Sequence, residues 1–193
     1  MESKVKVHEQ ESFKNIDYSE KYLKNIEFDN CTFQNCIFLK SDLEGTRFED
    51  CLFENCNFSM TKVQGVGFRN ATFNGCKVLG VDFSDCNKFM FSFSFNDCDI
   101  DYSSFFGTTL IKTIFNKCSL KETDFSEATL TASKFLNCDL AGAIFSNSKL
   151  DKVDFRTANN YSIDPQYNQL KKTIFASSNL EGLLDKYQLD IRN

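Results

Sequence analysis

Phenylalanine recurs at positions 13, 33, 53, 73, 95, 115, 135, 155 and 175, every twentieth residue except for one step of twenty-two. A fixed period of this length means that one small structural unit is stacked on copies of itself, so the architecture follows from the count. Inside each period the chain also counts in fives: a small residue, a polar one, a large apolar one, then two that are mostly polar. Cys31 to Asn35 (CTFQN) and Cys51 to Asn55 (CLFEN) show the unit. A period of five matches neither the 3.6 of a helix nor the 2.0 of a flat strand. It matches a chain that turns a corner every five residues.

Read at every twentieth residue, the apolar centres sort into four columns. The first is the phenylalanine column. The second holds Tyr18, Phe38, Phe58, Val78, Ile100, Leu120 and Leu140, and the third holds Leu23, Leu43, Val63, Phe83, Phe105, Phe125 and Phe145. The fourth reads Phe28, Phe48, Phe68, Met90, Leu110, Leu130, Leu150 and Leu170. Each column keeps one kind of side chain over several tiers, as stacking requires. The step of twenty-two places two added residues between Cys86 and Phe93.

This pattern resembles the pentapeptide-repeat family, over residues 13 to 158. The resemblance implies an all-β solenoid, a right-handed quadrilateral β-helix, with the small and central residues pointing inward. At about 4.8 Å per coil the rod would be roughly 40 Å long. Residues 1–12 read as an N-terminal tail or cap, 13–158 as the β-helix with its register shift near 86–93, and 159–193 as a last coil, a short helix and an edge strand. Ser178 and Glu181 have the spacing of a capping box. Leu180, Leu183, Leu184 and Tyr187 fall on one helical face, and Leu189 and Ile191 suit an edge strand.

Composition restricts the chemistry. The 193 residues include one Pro, no Trp, 22 Phe and 9 Cys, with a formal net charge of -5. No stretch approaches the roughly 20 consecutive apolar residues of a membrane span, and the charged start, MESKVKVHEQ, has no signal-peptide core. The expected setting is cytoplasmic. With the shift placed after Cys86, all nine cysteines fall two residues before a central position, and Cys36, Cys56, Cys76, Cys98, Cys118 and Cys138 share one column. Parallel side chains one tier apart stay near 4.8 Å, too far for a disulfide of about 2.05 Å, and they do not converge as zinc ligands do. Buried structural thiols are therefore expected, with no metal and no cofactor.

Catalytic groupings are missing from the pattern. The single histidine, His8, is expected to be a solvated residue ahead of the repeat, and there is no phosphate loop or nucleophile elbow. A non-enzymatic protein is expected, with its function on the outer surface. Asp42, Glu44, Asp82, Asp85, Asp124 and Glu127, joined by Asp99, Asp101 and Glu122, would form an acidic stripe. Lys112, Lys149, Lys152, Lys171 and Lys172 gather on the fourth face. Phe89, Phe91, Phe106 and Ile111 would form an apolar patch, either a contact site or repacking around the shift.

The rod, its Asp-Pro turn and its Leu-rich tail look like the topoisomerase-protecting subgroup, the Qnr-type proteins and the microcin B immunity protein. That resemblance implies a homodimer through Leu180, Leu183, Leu184 and Tyr187, no direct nucleic-acid or membrane contact, and DNA mimicry toward DNA gyrase or topoisomerase IV. The chain lacks the long loops of the Qnr type and in this is more similar to the immunity protein. The alternative is a general protein-interaction scaffold whose partner docks on the apolar patch.

Overall fold

A computed structural model describes residues 5–190. The chain winds as a right-handed quadrilateral β-solenoid of about seven turns. Its short strands are β1 (Lys6–Glu9), β2 (Ser12–Lys14), β3 (Ile26–Asp29), β4 (Thr32–Gln34), β5 (Arg47–Glu49), β6 (Leu52–Glu54), β7 (Gly67–Asn74), β8 (Phe91–Asn96), β9 (Ile114–Asn116) and β10 (Lys134–Leu136). All pair in parallel, and Phe13 lies under Phe33, Phe33 under Phe53 and Phe53 under Phe73. The other two walls are held by single bridges, such as Asp17 to Ile37 to Asn57 and Tyr22 to Asp42 to Lys62.

The five-residue beat has a backbone cause. Every fifth residue from Gln10 to Gly80, and again from Asp97 to Lys152, lies at positive φ between 51° and 71°. This left-handed geometry turns each corner. Asn and Gly tolerate it best, which accounts for Asn15, Asn35, Asn55 and Asn137 and for Gly45, Gly65, Gly80 and Gly107 at these positions.

The core is a column of side chains filled by stacked rings. Phe33 and Phe53 stack at 5.0 Å, Phe53 and Phe73 at 4.7 Å, and Phe105 and Phe125 at 5.2 Å, while neighbouring columns meet edge to face, as Phe115 and Phe125 do at 5.9 Å. Each such pair adds about 0.5–1.5 kcal/mol beyond the area that it buries.

All nine cysteines are free and buried. In the six-tier column each thiol donates to the carbonyl of a first-column phenylalanine in the coil below: Cys36 to Phe13, Cys56 to Phe33, Cys76 to Phe53, Cys98 to Phe73, Cys118 to Phe95 and Cys138 to Phe115, at 3.4 to 3.6 Å. Thr61, Ser103 and Ser148 make the same bond to Phe38, Val78 and Phe125. The inward small position thus selects a compact side chain with a donor. Burial pushes the Cys51 thiol up to about 12 and raises Cys31, Cys36 and Cys86 as well, so these sulfurs are held as thiols rather than nucleophilic thiolates.

Three expectations change. His8 is not a tail residue: β1 pairs with β3 so that His8 lies under Phe28, and its ring stacks there at 5.0 Å with its side chain 15% exposed. The coil therefore starts at Lys6, because an imidazole is flat enough to serve as the bottom ring of the fourth column.

The two-residue shift is a gain of three and a loss of one. Up to Asn87, which donates to Val66, the twenty-residue register holds. Phe68 then pairs with Phe91, so Lys88, Phe89 and Met90 bulge out, and one position is recovered where Ala71 pairs with Phe93. Phe93 enters the core from a small-residue position, with its ring against Phe68, Phe83, Phe95 and Phe105. Met90 leaves the fourth column and packs over Gly67, where an added Cβ would lie 3.0 Å from the Met90 Cβ.

The short C-terminal helix is present, but among the described residues it is of the 3₁₀ type. Ser177–Leu183 and Asp185–Tyr187 are 3₁₀ turns, the first kinked at Asn179, and Ala176 precedes them without a side-chain cap, so the Ser178 and Glu181 capping box is not used. The reason is a tight dock. Gly182 lies so close to Tyr161 that an added Cβ would sit 2.1 Å from its carbonyl oxygen, Ile163 donates to the Gly182 carbonyl, and the Tyr161 hydroxyl bonds the Asn179 carbonyl. A continuous helix cannot follow that path. Leu189 lies outside any strand, and Ile191 lies outside the described residues.

Three outcomes check this fold. A thiol reagent such as Ellman's should titrate none of the nine cysteines in the native protein and all nine in guanidinium. Phe115→Ala should cost about 3–5 kcal/mol of stability in denaturant unfolding. Gly182→Ala should loosen the C-terminal cap, read as faster proteolysis after Tyr161 with the coils below intact.

Candidate functional site

A rod with a filled interior leaves its walls as the place of function. Wall one carries the phenylalanine column, and walls two to four follow in chain order. The acids expected to form one stripe are not equivalent in their surroundings. Asp42 and Glu44 are both held by Lys24, at 2.9 and 2.5 Å, and Lys62 occupies the next tier above Asp42. The Lys24 side chain and the amide of Glu44 hold the Asp42 carboxyl below its usual range against the opposing effect of burial. The negative charge at the lower end of the stripe is partly offset.

The middle of the rod differs. Asp82, Asp85, Asp99, Asp101, Glu122, Asp124 and Glu127 enter no ion pair among the described residues. Their local bonds fix direction instead: Asp82 and Asp124 accept the amides of Ser84 and Ser126, and Asp101 accepts that of Lys121. Asp82, Ser104 and Asp124 occupy one register on wall three, and Asp99, Ser119 and Asp139 another on wall two. One oxygen of Asp99 is buried without a hydrogen-bond partner, and burial, followed by repulsion from Asp101, raises its carboxyl above the usual range.

Two aromatic side chains stand among these acids. Phe106 is 44% exposed, and Tyr102, at a left-handed corner between walls two and three, is 68% exposed. The sequence reading missed Tyr102. Its signal was present, since the fifth beat of each pentad is a corner and a corner side chain points outward.

The expected apolar patch separates into parts. Phe91 is half-buried, with its ring 4.8 Å from Phe93, so it repacks the gap that the bulge opens and does not stand out beside Ile111. Phe89 is 98% exposed at the tip of the bulge, and Ile111 is 53% exposed. At the C-terminus, Leu183 packs on the core whereas Leu180, Leu184 and Tyr187 remain exposed. Among the described residues no cluster of His, Cys, Asp and Glu could hold a metal ion, and no helix is long and apolar enough to cross a membrane.

Solved structures share this architecture. HetL, a pentapeptide repeat protein involved in heterocyst differentiation regulation from the cyanobacterium Nostoc sp. strain PCC 7120, superposes with a TM-score of 0.64 at 11% identity, over 89% of this chain and 86% of its own. A trypsin-treated form of QnrB1, a plasmid-mediated fluoroquinolone resistance protein, gives 0.51 at 21% identity, over 97% and 90%. At these identities the likeness is one of fold. No curated protein matches the chain by sequence. The family described as the pentapeptide repeat region matches residues 9–83 and 108–183, on both sides of the bulge, and the chain belongs to the pentapeptide-repeat family.

Proposed function

We propose that this protein is a non-enzymatic binding rod whose acidic, aromatic mid-section docks into a positively charged protein groove, and that the groove is the DNA-binding surface of a type II topoisomerase. The observation that carries this reading is that Asp82, Asp85, Asp99, Asp101, Glu122, Asp124 and Glu127 form no ion pair among the described residues and stand around exposed Tyr102 and Phe106, with Lys121, paired to Asp139, as the cation in their midst. Unpaired carboxylates at regular tier spacing present a field that basic grooves attract, and exposed aromatic side chains are favoured anchors at protein interfaces. The active surface is shorter than the stripe read from the sequence, because Asp42 and Glu44 are both engaged by Lys24.

Leu180, Leu184 and Tyr187 support a two-fold contact between rods in this reading. They are apolar, exposed and adjacent to the cap. Light scattering should report a dimer, and Leu184→Glu should give a monomer with an unchanged melting temperature.

The purified protein should alter supercoiling by DNA gyrase at micromolar concentration. Reversing Asp101, Glu122 and Asp124 to Lys should weaken that effect at least tenfold, whereas reversing Asp42 and Glu44 should change it little. No effect of the wild-type protein, and no complex with gyrase, would remove the topoisomerase from the reading. Loss on Phe89→Ser alone would instead favour a scaffold that binds through the bulge.

Stability supplies a separate check. A carboxyl raised in the folded state stabilises the fold when protonated, and that contribution is lost as pH rises through its folded pKa. Asp99→Asn should therefore raise the melting temperature at pH 7, by no more than about 2–4 °C, the shift that about 1 kcal/mol produces in a chain of this size. The gain should disappear below pH 4, the usual carboxylate range.

A further inference from the structure

On the wall opposite wall two, the upper coils carry a group of lysines. Lys112, Lys152 and Lys172 occupy left-handed corners with φ of 59°, 60° and 60°, so they stand in one row along the edge of wall four, with Ala132 at the tier between Lys112 and Lys152. Lys149 lies on that wall between Thr129 and Gln169 in register, and Lys171 is adjacent to the row. All five are exposed, and none enters an ion pair among the described residues. The cations of wall four in the lower coils behave differently. Arg47 is paired with Glu27 and Arg69 with Glu49, each at 2.8 Å.

Two acids stand near the lysine row, and of these Asp151 keeps its charge while Asp154 is paired. Asp151 accepts the backbone amide of Lys171, and Asp154, beyond the edge, is buried and clamped by the Arg156 guanidinium. Between the lysines stand Thr109, Thr129, Thr131 and Gln169, short neutral side chains that keep the wall flat and offer further donors. The large apolar side chains exposed beside this row, among the described residues, are Ile111, Ile114 and Ile174.

We propose that this lysine row binds the phosphate backbone of nucleic acid, without reading its bases. At about 4.8 Å per coil, Lys112 and Lys172 are about 14 Å apart, a straight run that two or three consecutive phosphates can follow. Flexible ammonium groups suit such a target as point charges, and the absence of a bidentate, base-edge arrangement accounts for the lack of sequence choice. A membrane surface rewards a broad apolar face with Trp, Phe or Leu beside the charge, and isoleucines spread along the row offer less of it. The net charge of -5 does not oppose this contact strongly. Opposite walls lie about 10 Å apart, beyond the screening length of about 8 Å at physiological salt. The inference rests on a different wall from the acidic mid-section and stands or falls independently of it.

Fluorescence anisotropy with a labelled duplex of mixed sequence tests the proposal. Binding is expected at about 50 mM salt and should be much weaker at about 200 mM, with the logarithmic salt slope reporting roughly 0.9 per phosphate engaged. The variant Lys112→Glu/Lys152→Glu/Lys172→Glu should lose at least tenfold in affinity and show a shallower slope. Lys21→Glu/Lys40→Glu/Lys62→Glu, with the same net charge change in the lower coils, should bind nearly as the wild type does. Circular dichroism of both variants shows that they remain folded. The proposal is overturned by no binding at the lower salt, by equal loss in the two variants, or by capture on phosphatidylserine vesicles without capture of the duplex.

Discussion

The structure depends on one coupled constraint: a left-handed residue at every fifth position, and a parallel hydrogen-bond ladder between coils. The first turns each corner and the second locks each coil onto the next, as Asn35 to Glu54 and Asn55 to Asn74 do through their amides at 2.9 Å. Neither is sufficient alone. Left-handed asparagine, lysine or glutamate corners carry a conformational cost, and short parallel strands of three residues have no independent stability. Repetition couples them, because each coil provides the partner groups that the next coil requires.

The core follows from that stacking. Identical side chains one tier apart leave no freedom to interdigitate, so flat rings and compact donors are favoured over branched bulk. Phenylalanine stacks along the rod, and cysteine, serine and threonine fill the narrow inward position while bonding a carbonyl one coil below. The bulge shows what happens when the count fails. With Met90 outside, the core would have a gap at one tier, and Phe93 fills it from a position that Cys31, Cys51 and Ala71 hold in other coils.

A filled, regular interior moves all selectivity to the walls. Because outward side chains also recur every twenty residues, charges of one sign gather into rows with little sequence separation between neighbours in space. The lower coils spend theirs on ion pairs across tiers, such as Lys24 with Asp42 and Arg47 with Glu27. In the upper coils Asp139 pairs with Lys121, but Asp99, Asp101, Glu122 and Asp124 on walls two and three and the lysines of wall four enter no ion pair among the described residues. That division gives one rod two surfaces of opposite chemistry.

The count of fives and twenties was enough to determine the fold class, the four columns, the buried thiols and the outward character of Asp101 or Lys152, because each depends only on periodicity and on which position of the pentad points inward. Three-dimensional contact decided the rest. That Lys24 engages both Asp42 and Glu44, that His8 closes the bottom of a phenylalanine column, that Phe91 turns inward, and that Gly182 forces a kinked turn where the leucine spacing suits a helix all depend on distances between atoms in different coils. Periodicity specifies which wall a side chain is on, but which neighbours it meets there is decided by side-chain reach and close packing across the tiers.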